Sequence, residues 1–144
     1  MDVAELSHLT DAEADEIAGI FEDGFPDGAA RWRTEYEALH RSERWPPRMV
    51  VCRHDGRIVA AAMIVESVNS DTTYDMPWLA VRKADRGHGF GRSLATECIR
   101  RFSPLIFLAN DPMFYLHLPG VVMAVIIPEN KDGRWLVLAN FVGP

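Results

Sequence analysis

The sequence predicts a mixed α/β fold with the element order β-α-α-β-β-β-α-β-(short α)-β-β. Three observations carry this prediction. A capping-box pair, Thr10 and Glu13, precedes apolar residues at helical spacing. An Asp-Gly pair at 55–56 separates two β-branched apolar runs, which is typical of a hairpin. From Trp78 to Phe102 a short apolar strand leads through a glycine-rich loop into an amphipathic helix.

The first half of the chain predicts two strand-forming regions around a pair of helices. Weak alternation over 3–9 indicates an edge strand, and the capping box starts a helix that ends near Asp23-Gly24. A second helix is expected over 29–44, where Trp45-Pro46-Pro47 stops it. The hairpin then places its strands at 49–53 and 58–68.

The second half predicts four further strands around the glycine-rich loop. A fully apolar run at 105–109 is typical of a central parallel strand. The expected elements are, in order, a strand at 72–81, a helix at 93–102, the strand at 105–109, a brief helical turn at 112–118, and strands at 121–128 and 135–142.

Length and composition predict one globular domain over 1–144, with 48% hydrophobic and 25% charged residues. No apolar run of about 18 residues exists to span a membrane, and the acidic amino terminus lacks an apolar signal core. We therefore expect a cytoplasmic protein with no membrane partner. Cys52 and Cys98 are too few for a disulfide framework or a metal site, so both are expected as reduced core thiols without a metal.

The charge distribution bears on the class of partner. A net charge of −6 argues against nucleic acid. Every formal charge from Asp2 to Asp27 is negative, and Arg31 is the first positive one. This acidic segment either attracts a cationic amine or forms an ordinary solvated surface, and the sequence leaves both interpretations open.

The glycine-rich loop between Arg86 and Ser93 predicts an anion site. Alternating glycines expose backbone N–H groups, and the following helix adds its unpaired first-turn donors and the positive end of its dipole. A dinucleotide-binding turn does not fit, because Gly91 comes one place early and no acidic residue follows about 20 positions later. A P-loop does not fit either, because Arg86 stands where its first glycine belongs.

The stretch Leu79-Ala80-Val81-Arg82-Lys83-Ala84-Asp85-Arg86-Gly87-His88-Gly89-Phe90-Gly91 resembles the R/Q-x-x-G-x-G/A signature of the GNAT superfamily of N-acetyltransferases. The element order is similar to that fold over essentially the whole chain. The resemblance implies a mostly antiparallel central sheet, flanked by helices, with one parallel strand pair splayed around an acyl-CoA site. It implies acetyl-CoA-dependent N-acetyl transfer by direct attack in a ternary complex. The alternative is a non-catalytic acyl-CoA-binding sensor or interaction module.

The resemblance also implies where acetyl-CoA binds. Its pantetheine arm would pair with a strand carrying a β-bulge around 78–81, and Arg82, Lys83 or Arg92 could add charge to the phosphate contacts. The implied cofactor-binding residues are Leu79, Ala80, Val81, Arg86, Gly87, His88, Gly89, Phe90, Gly91, Arg92, Ser93 and Asn110.

Catalytic roles follow from the same resemblance. Asp75, four residues before Leu79, is the candidate general base, with Glu66 in reserve, and Tyr115 is the candidate general acid. Phe25, Asp27 and Trp32 are the candidate substrate-binding residues. The partner would be a small-molecule or peptide amine, and the apolar carboxyl-terminal strands would serve either a core or a homodimer interface.

Overall fold

The computed structural model describes residues 2–42, 46–67, 72–110, 112–129 and 133–142. The predicted helix end at 44 and the predicted strand end at 68 lie outside these ranges. The strands are β1 (Asp2–Leu6), β2 (Arg48–His54), β3 (Arg57–Glu66), β4 (Tyr74–Val81), β5 (Leu105–Ala109), β6 (Val121–Glu129) and β7 (Arg134–Phe141). The helices are α1 (Asp11–Gly24), α2 (Gly28–Arg41), α3 (Phe90–Arg101) and α4 (Pro112–Leu116), with a 3₁₀ turn at Lys83–Asp85.

The strands form one seven-stranded sheet in the order β1-β2-β3-β4-β5-β7-β6. Every neighbouring pair is antiparallel except β4 and β5, which run parallel. The parallel ladder has only two residue pairs, Tyr74 with Leu105 and Asp75 with Ile106. The predicted mixed, mostly antiparallel sheet with a splayed parallel pair is therefore confirmed.

Helices cover both faces of the sheet. α1 and α2 pack on one face of β2, β3 and β4, where Ile17, Phe21 and Met63 are fully buried. α3 packs on the opposite face, where Leu94 and Ile99 lie in a larger core that also includes residues of β5 and β7. The sheet therefore separates two apolar clusters, one for each helical layer.

Local signals account for several element boundaries. The Thr10 hydroxyl accepts a hydrogen bond from the Glu13 N–H at 3.1 Å, and the Glu13 carboxylate accepts one from the Thr10 N–H at 2.9 Å, so the predicted capping box is confirmed. Asp55 and Gly56 have φ values of 51° and 77° in the predicted hairpin turn. Such paired positive values match the twist of antiparallel strands.

The predicted burial of both cysteines as free thiols is also confirmed. Cys52 and Cys98 are both free thiols and fully buried. Burial raises the pKa of Cys98 to about 12, which keeps its thiol protonated and unreactive. Within the described ranges, we find no helix long and apolar enough to cross a membrane, and no cluster of three or more potential metal ligands.

Candidate active site

The parting of β4 and β5 creates a crevice at the centre of the sheet. Beyond the Asp75–Ile106 pair the two strands diverge, while β4 stays paired with β3 as far as Val81 and β5 stays paired with β7 as far as Ala109. Each strand therefore presents one ladder edge to the crevice. Such edges carry N–H and C=O groups that an amide-bearing molecule can pair with.

A β-bulge lies at the mouth of this crevice. Between Asp75 and Trp78, β4 has one more residue than the facing segment of β3 from Met63 to Val65. The bulge therefore falls at 76–77, just before the predicted region at 78–81. It includes Pro77, which has no N–H to offer to a ladder.

The glycine-rich loop lies between the end of β4 and the start of α3. Gly87 and Gly89 have φ values of 86° and 83°, and Gly89 caps the helix, whose first hydrogen bond joins the Ser93 N–H to the Gly89 carbonyl at 3.0 Å. α3 therefore begins at Phe90, three residues earlier than predicted. The helix offers no acceptor to the N–H groups from Gly89 to Arg92, which leaves a cluster of donors for an anion.

Space around the loop differs between its glycines. A Cβ at Gly87 or Gly89 would meet no atom within 4 Å, so these positions need glycine for their positive φ and not for lack of room. A Cβ at Gly91 would lie 3.0 Å from Cγ2 of Val81. Gly91 thus allows α3 to approach β4 closely.

The arginines near the loop donate hydrogen bonds to backbone carbonyls of neighbouring segments. The Arg86 guanidinium donates to the carbonyls of Val81 and Asp23, at 3.3 and 3.1 Å. Arg82 donates to the Ile58 carbonyl at 2.9 Å, and Arg92 donates to the His117 carbonyl at 3.2 Å. These three arginines are therefore engaged with carbonyl groups, whereas the Lys83 side chain is exposed.

Sequence reasoning missed Asp85, which anchors the same loop. Its side chain is 10% exposed, and its carboxylate lies 2.7 Å from the Arg57 guanidinium and 3.7 Å from that of Arg82. A buried carboxylate with two cationic neighbours fixes the 3₁₀ turn before the glycines. The position of a single Asp in the signature carried no signal for this contact.

A cavity of about 740 Å³ opens beside the crevice. Five of its lining residues were predicted as site residues, namely Phe25, Asp75, Leu79, Asn110 and Tyr115. The lining residues that sequence reasoning missed are Ser67, Thr73, Met76, Pro77, Ile106, Phe107, Leu108, Ala109, Arg134, Leu136 and Leu138. The cavity thus draws its wall from β4, β5, β7 and the segments next to them.

Asp75 is the acidic residue of this wall. Partial burial raises the pKa of its carboxyl, and a hydrogen bond from the Ser67 hydroxyl opposes that shift. Ser67 is 2% exposed and follows the end of β3. Glu66 is exposed at the end of β3 and does not line the cavity. Asp75 is therefore better placed than Glu66 to accept a proton.

Tyr115 lies on the five-residue helix α4. Its ring packs against Phe107, with ring centroids 4.4 Å apart. Burial raises the pKa of its phenol to about 12, so the hydroxyl remains protonated at neutral pH. A protonated phenol facing a cavity can act as a proton donor.

Other predicted residues lie away from the cavity. Trp32 is 1% exposed and packs between Phe21 and Tyr36, so the structure places it in the core under α2. Asp27 is exposed, with a φ of 53°, immediately before α2. Ala80 is buried in that same core. The structure does not bring these residues together with Asp75.

His88 is exposed in the glycine-rich loop, with its ring centroid 5.9 Å from that of Phe90. Phe90 itself is 7% exposed in the core beneath α3. Phe90 therefore contributes only its backbone N–H to the cluster of donors.

Several carboxylates of the acidic segment bind groups of neighbouring elements and so hold α1 against the rest of the fold. Glu13 pairs with Arg53 at 2.7 Å, Glu16 accepts a hydrogen bond from the Ile58 N–H at 3.0 Å, and Asp23 accepts one from the Lys83 N–H at 3.0 Å. No described carboxylate between positions 2 and 27 lines the cavity. The interpretation of this segment as an amine-attracting surface therefore gains no support.

Comparisons with known proteins agree with this architecture. A protein from Desulfovibrio desulfuricans assigned to the GNAT family superposes with a TM-score of 0.70 at 17% identity, covering 96% of this chain and 97% of that one. A ribosomal-protein-alanine N-acetyltransferase from Brucella melitensis gives 0.67 at 16% identity, covering 99% and 100%. An aminoglycoside 6'-N-acetyltransferase complexed with coenzyme A gives 0.68 at 11% identity, covering 100% and 98%.

These structural similarities show a shared fold. Among curated proteins, none matches this chain significantly in sequence. Residues 14–113, well over half of the chain, match the model of the Acetyltransferase (GNAT) family. The chain therefore belongs to the GNAT family of acetyltransferases.

Proposed function

We propose that this protein is an N-acetyltransferase that moves an acetyl group from acetyl-CoA to an amine. The observation that carries the proposal is the crevice between β4 and β5, which opens beyond the Asp75–Ile106 pair. It connects a backbone surface suited to CoA with a cavity that holds a carboxyl and a protonated phenol.

The residues present fit acetyl-CoA. The N–H groups from Gly89 to Arg92 suit the pyrophosphate, because open space surrounds Gly87 and Gly89 and the dipole of α3 favours an anion there. The inner edge of β4 around Leu79 and Val81 suits the amide groups of pantetheine. Asn110, exposed at the end of β5, can donate a hydrogen bond to the same arm. When bound there, acetyl-CoA supplies a reactive acyl thioester.

The chain's own groups then divide the proton chemistry. Asp75 accepts a proton from the attacking amine, and its raised pKa narrows the gap to the amine, whose own pKa is about 10. Because that gap remains wide, transfer through an intervening water fits better than direct contact. Tyr115 donates its proton to the departing sulfur. A backbone N–H of β4 near Leu79 stabilises the negative charge that develops on the thioester oxygen.

Thermal unfolding with acetyl-CoA, CoA and NAD tests the cofactor. Ligand at about a hundredfold its Kd adds about 2.7 kcal/mol of stability. We expect both CoA species to raise Tm and NAD to leave it unchanged. No shift with acetyl-CoA would contradict the proposal.

Turnover separates the enzyme from a non-catalytic acyl-CoA-binding module. We expect thiol release from acetyl-CoA with amines, and a fall in kcat of about 10²- to 10⁴-fold in Asp75→Asn and in Tyr115→Phe. Glu37→Gln, which changes an exposed carboxyl on α2, is the matched control and should keep full activity. Acetyl-CoA binding without turnover on any amine would favour the module.

A further inference from the structure

We infer that the amine acceptor is a small primary amine with a single positive charge and an apolar body, bound along a stripe of aliphatic side chains next to Asp75. The inference rests on the proposed function and adds the substrate class. We call the four residues Ile106, Leu108, Leu136 and Leu138 the aliphatic stripe. All four line the cavity.

Strand register places the aliphatic stripe on one face of the sheet. Ile106 pairs with Leu138 and Leu108 pairs with Leu136, so the four side chains adjoin across β5 and β7. The alternating residues Phe107 and Val137 point the other way, into the core beneath α3. Because parallel partners share a face, Asp75 lies on the same side as its partner Ile106.

No described helix covers this part of the sheet. α1 and α2 form their core with β2, β3 and β4, and no described residue of β5 or β7 belongs to that core. Leu108 and Leu136 are accordingly 40% and 38% exposed. An exposed aliphatic surface that continues from the candidate base suits the apolar part of the molecule that the base deprotonates.

The charge of the cavity wall disfavours a polycation. Asp75 is the one carboxylate among the described lining residues, so the described wall offers a single anionic partner to an ammonium group. No described carboxylate of the acidic segment lines the cavity, and Glu13 and Asp23 have partners elsewhere. A second ammonium group would lie on aliphatic side chains, losing water without gaining a partner.

The test compares the acceptors butylamine, pentylamine and hexylamine with 1,6-diaminohexane and an aminoglycoside, at saturating acetyl-CoA. Each added methylene buried on the stripe should raise kcat/KM about threefold to fourfold. Hexylamine should exceed 1,6-diaminohexane by at least about tenfold, because the diamine replaces the apolar end with a charge.

Two variants locate the effect. Leu136→Asp should flatten the chain-length dependence and favour the diamine, while the Tm shift with acetyl-CoA remains. Val122→Asp changes another exposed aliphatic residue, 47% exposed on β6 and outside the lining residues, and should leave both readouts as in the wild type. Loss of the chain-length dependence in Leu136→Asp alone would support the inference.

The remaining outcomes distinguish failure of the inferred substrate class from failure of the proposed acetyltransferase function. Preference for the diamine, the aminoglycoside or a peptide with a free amino terminus would overturn the substrate class and leave the proposed function standing. A dimer that Leu136→Asp dissociates would also overturn it, because a second copy would then cover the stripe. No turnover with any amine, despite an acetyl-CoA shift, would overturn both.

Discussion

Replacing Gly89 by alanine separates backbone strain from ligand binding. Gly89 has a φ of 83°, and an added Cβ would meet no atom within 4 Å. The cost in the ligand-free protein is therefore that of a left-handed conformation alone, about 1–2 kcal/mol. For a chain of 144 residues this lowers Tm by roughly 3–6 °C.

The same substitution has a second effect at the anion site. The Cβ would enter the open side of the loop, where we place the pyrophosphate, and would disturb one of the N–H contacts. A hydrogen bond to a charged group contributes about 1.5–3 kcal/mol, so the Kd for acetyl-CoA should rise roughly ten- to hundredfold. Isothermal titration calorimetry measures this change directly.

Gly56→Ala is the matched control. Gly56 has a φ of 77°, open space around its missing Cβ, and a position in the β2–β3 hairpin turn. It should lose a similar amount of stability while keeping the wild-type Kd. If Gly89→Ala binds acetyl-CoA as tightly as Gly56→Ala does, the assignment of the loop to the pyrophosphate is refuted.

Three further substitutions test the site and the core. Burial holds the pKa of the Asp75 carboxyl above its ordinary value. The protonated carboxyl therefore stabilises the folded protein below pH ~4, and this stabilisation is lost as the pH rises through the raised pKa. Asp75→Asn should therefore raise Tm at pH 7 but not at pH 3, by calorimetry, and an equal change at both would contradict this. Ser67→Ala removes a hydrogen bond that lowers the pKa of Asp75, so the acid limb of the kcat/KM profile against pH should move to higher pH. If the limb does not move, Ser67 has only a structural role. Leu94→Ala, in the core beneath α3, should cost about 2–5 kcal/mol in urea unfolding, and a loss below 1 kcal/mol would indicate loose packing there.

Elements defined by local chemistry were predictable from the sequence. The capping box of α1, the Asp-Gly hairpin and the strand at Leu105–Ala109 depend on neighbouring residues, and the structure confirms all three. The start of α3 was misplaced, because a glycine in a left-handed conformation can serve as the cap without any side-chain signal. The glycine signature indicated a family that the comparison over 14–113 confirms.

The cavity wall was less predictable, because it depends on register between distant strands. Leu136 and Leu138 lie beside Ile106 only through the pairing of β7 with β5, which no local pattern specifies. Ser67 follows an apolar strand and belongs to no recognisable motif. Trp32 was predicted to bind substrate but lies in the core. An aromatic residue at helical spacing is compatible with either a core or a pocket until the packing of α2 is known.

The interrupted pairing of β4 and β5 gives this sheet two inner edges in addition to the outer edges of β1 and β6. Exposed strand edges commonly recruit other protein chains and promote aggregation. Here each inner edge faces the other across the crevice, so a foreign strand could reach them only by entering the middle of the sheet. The unpaired backbone groups of β4 and β5 therefore stay available to a slender amide-bearing molecule, while strands of other proteins cannot reach them.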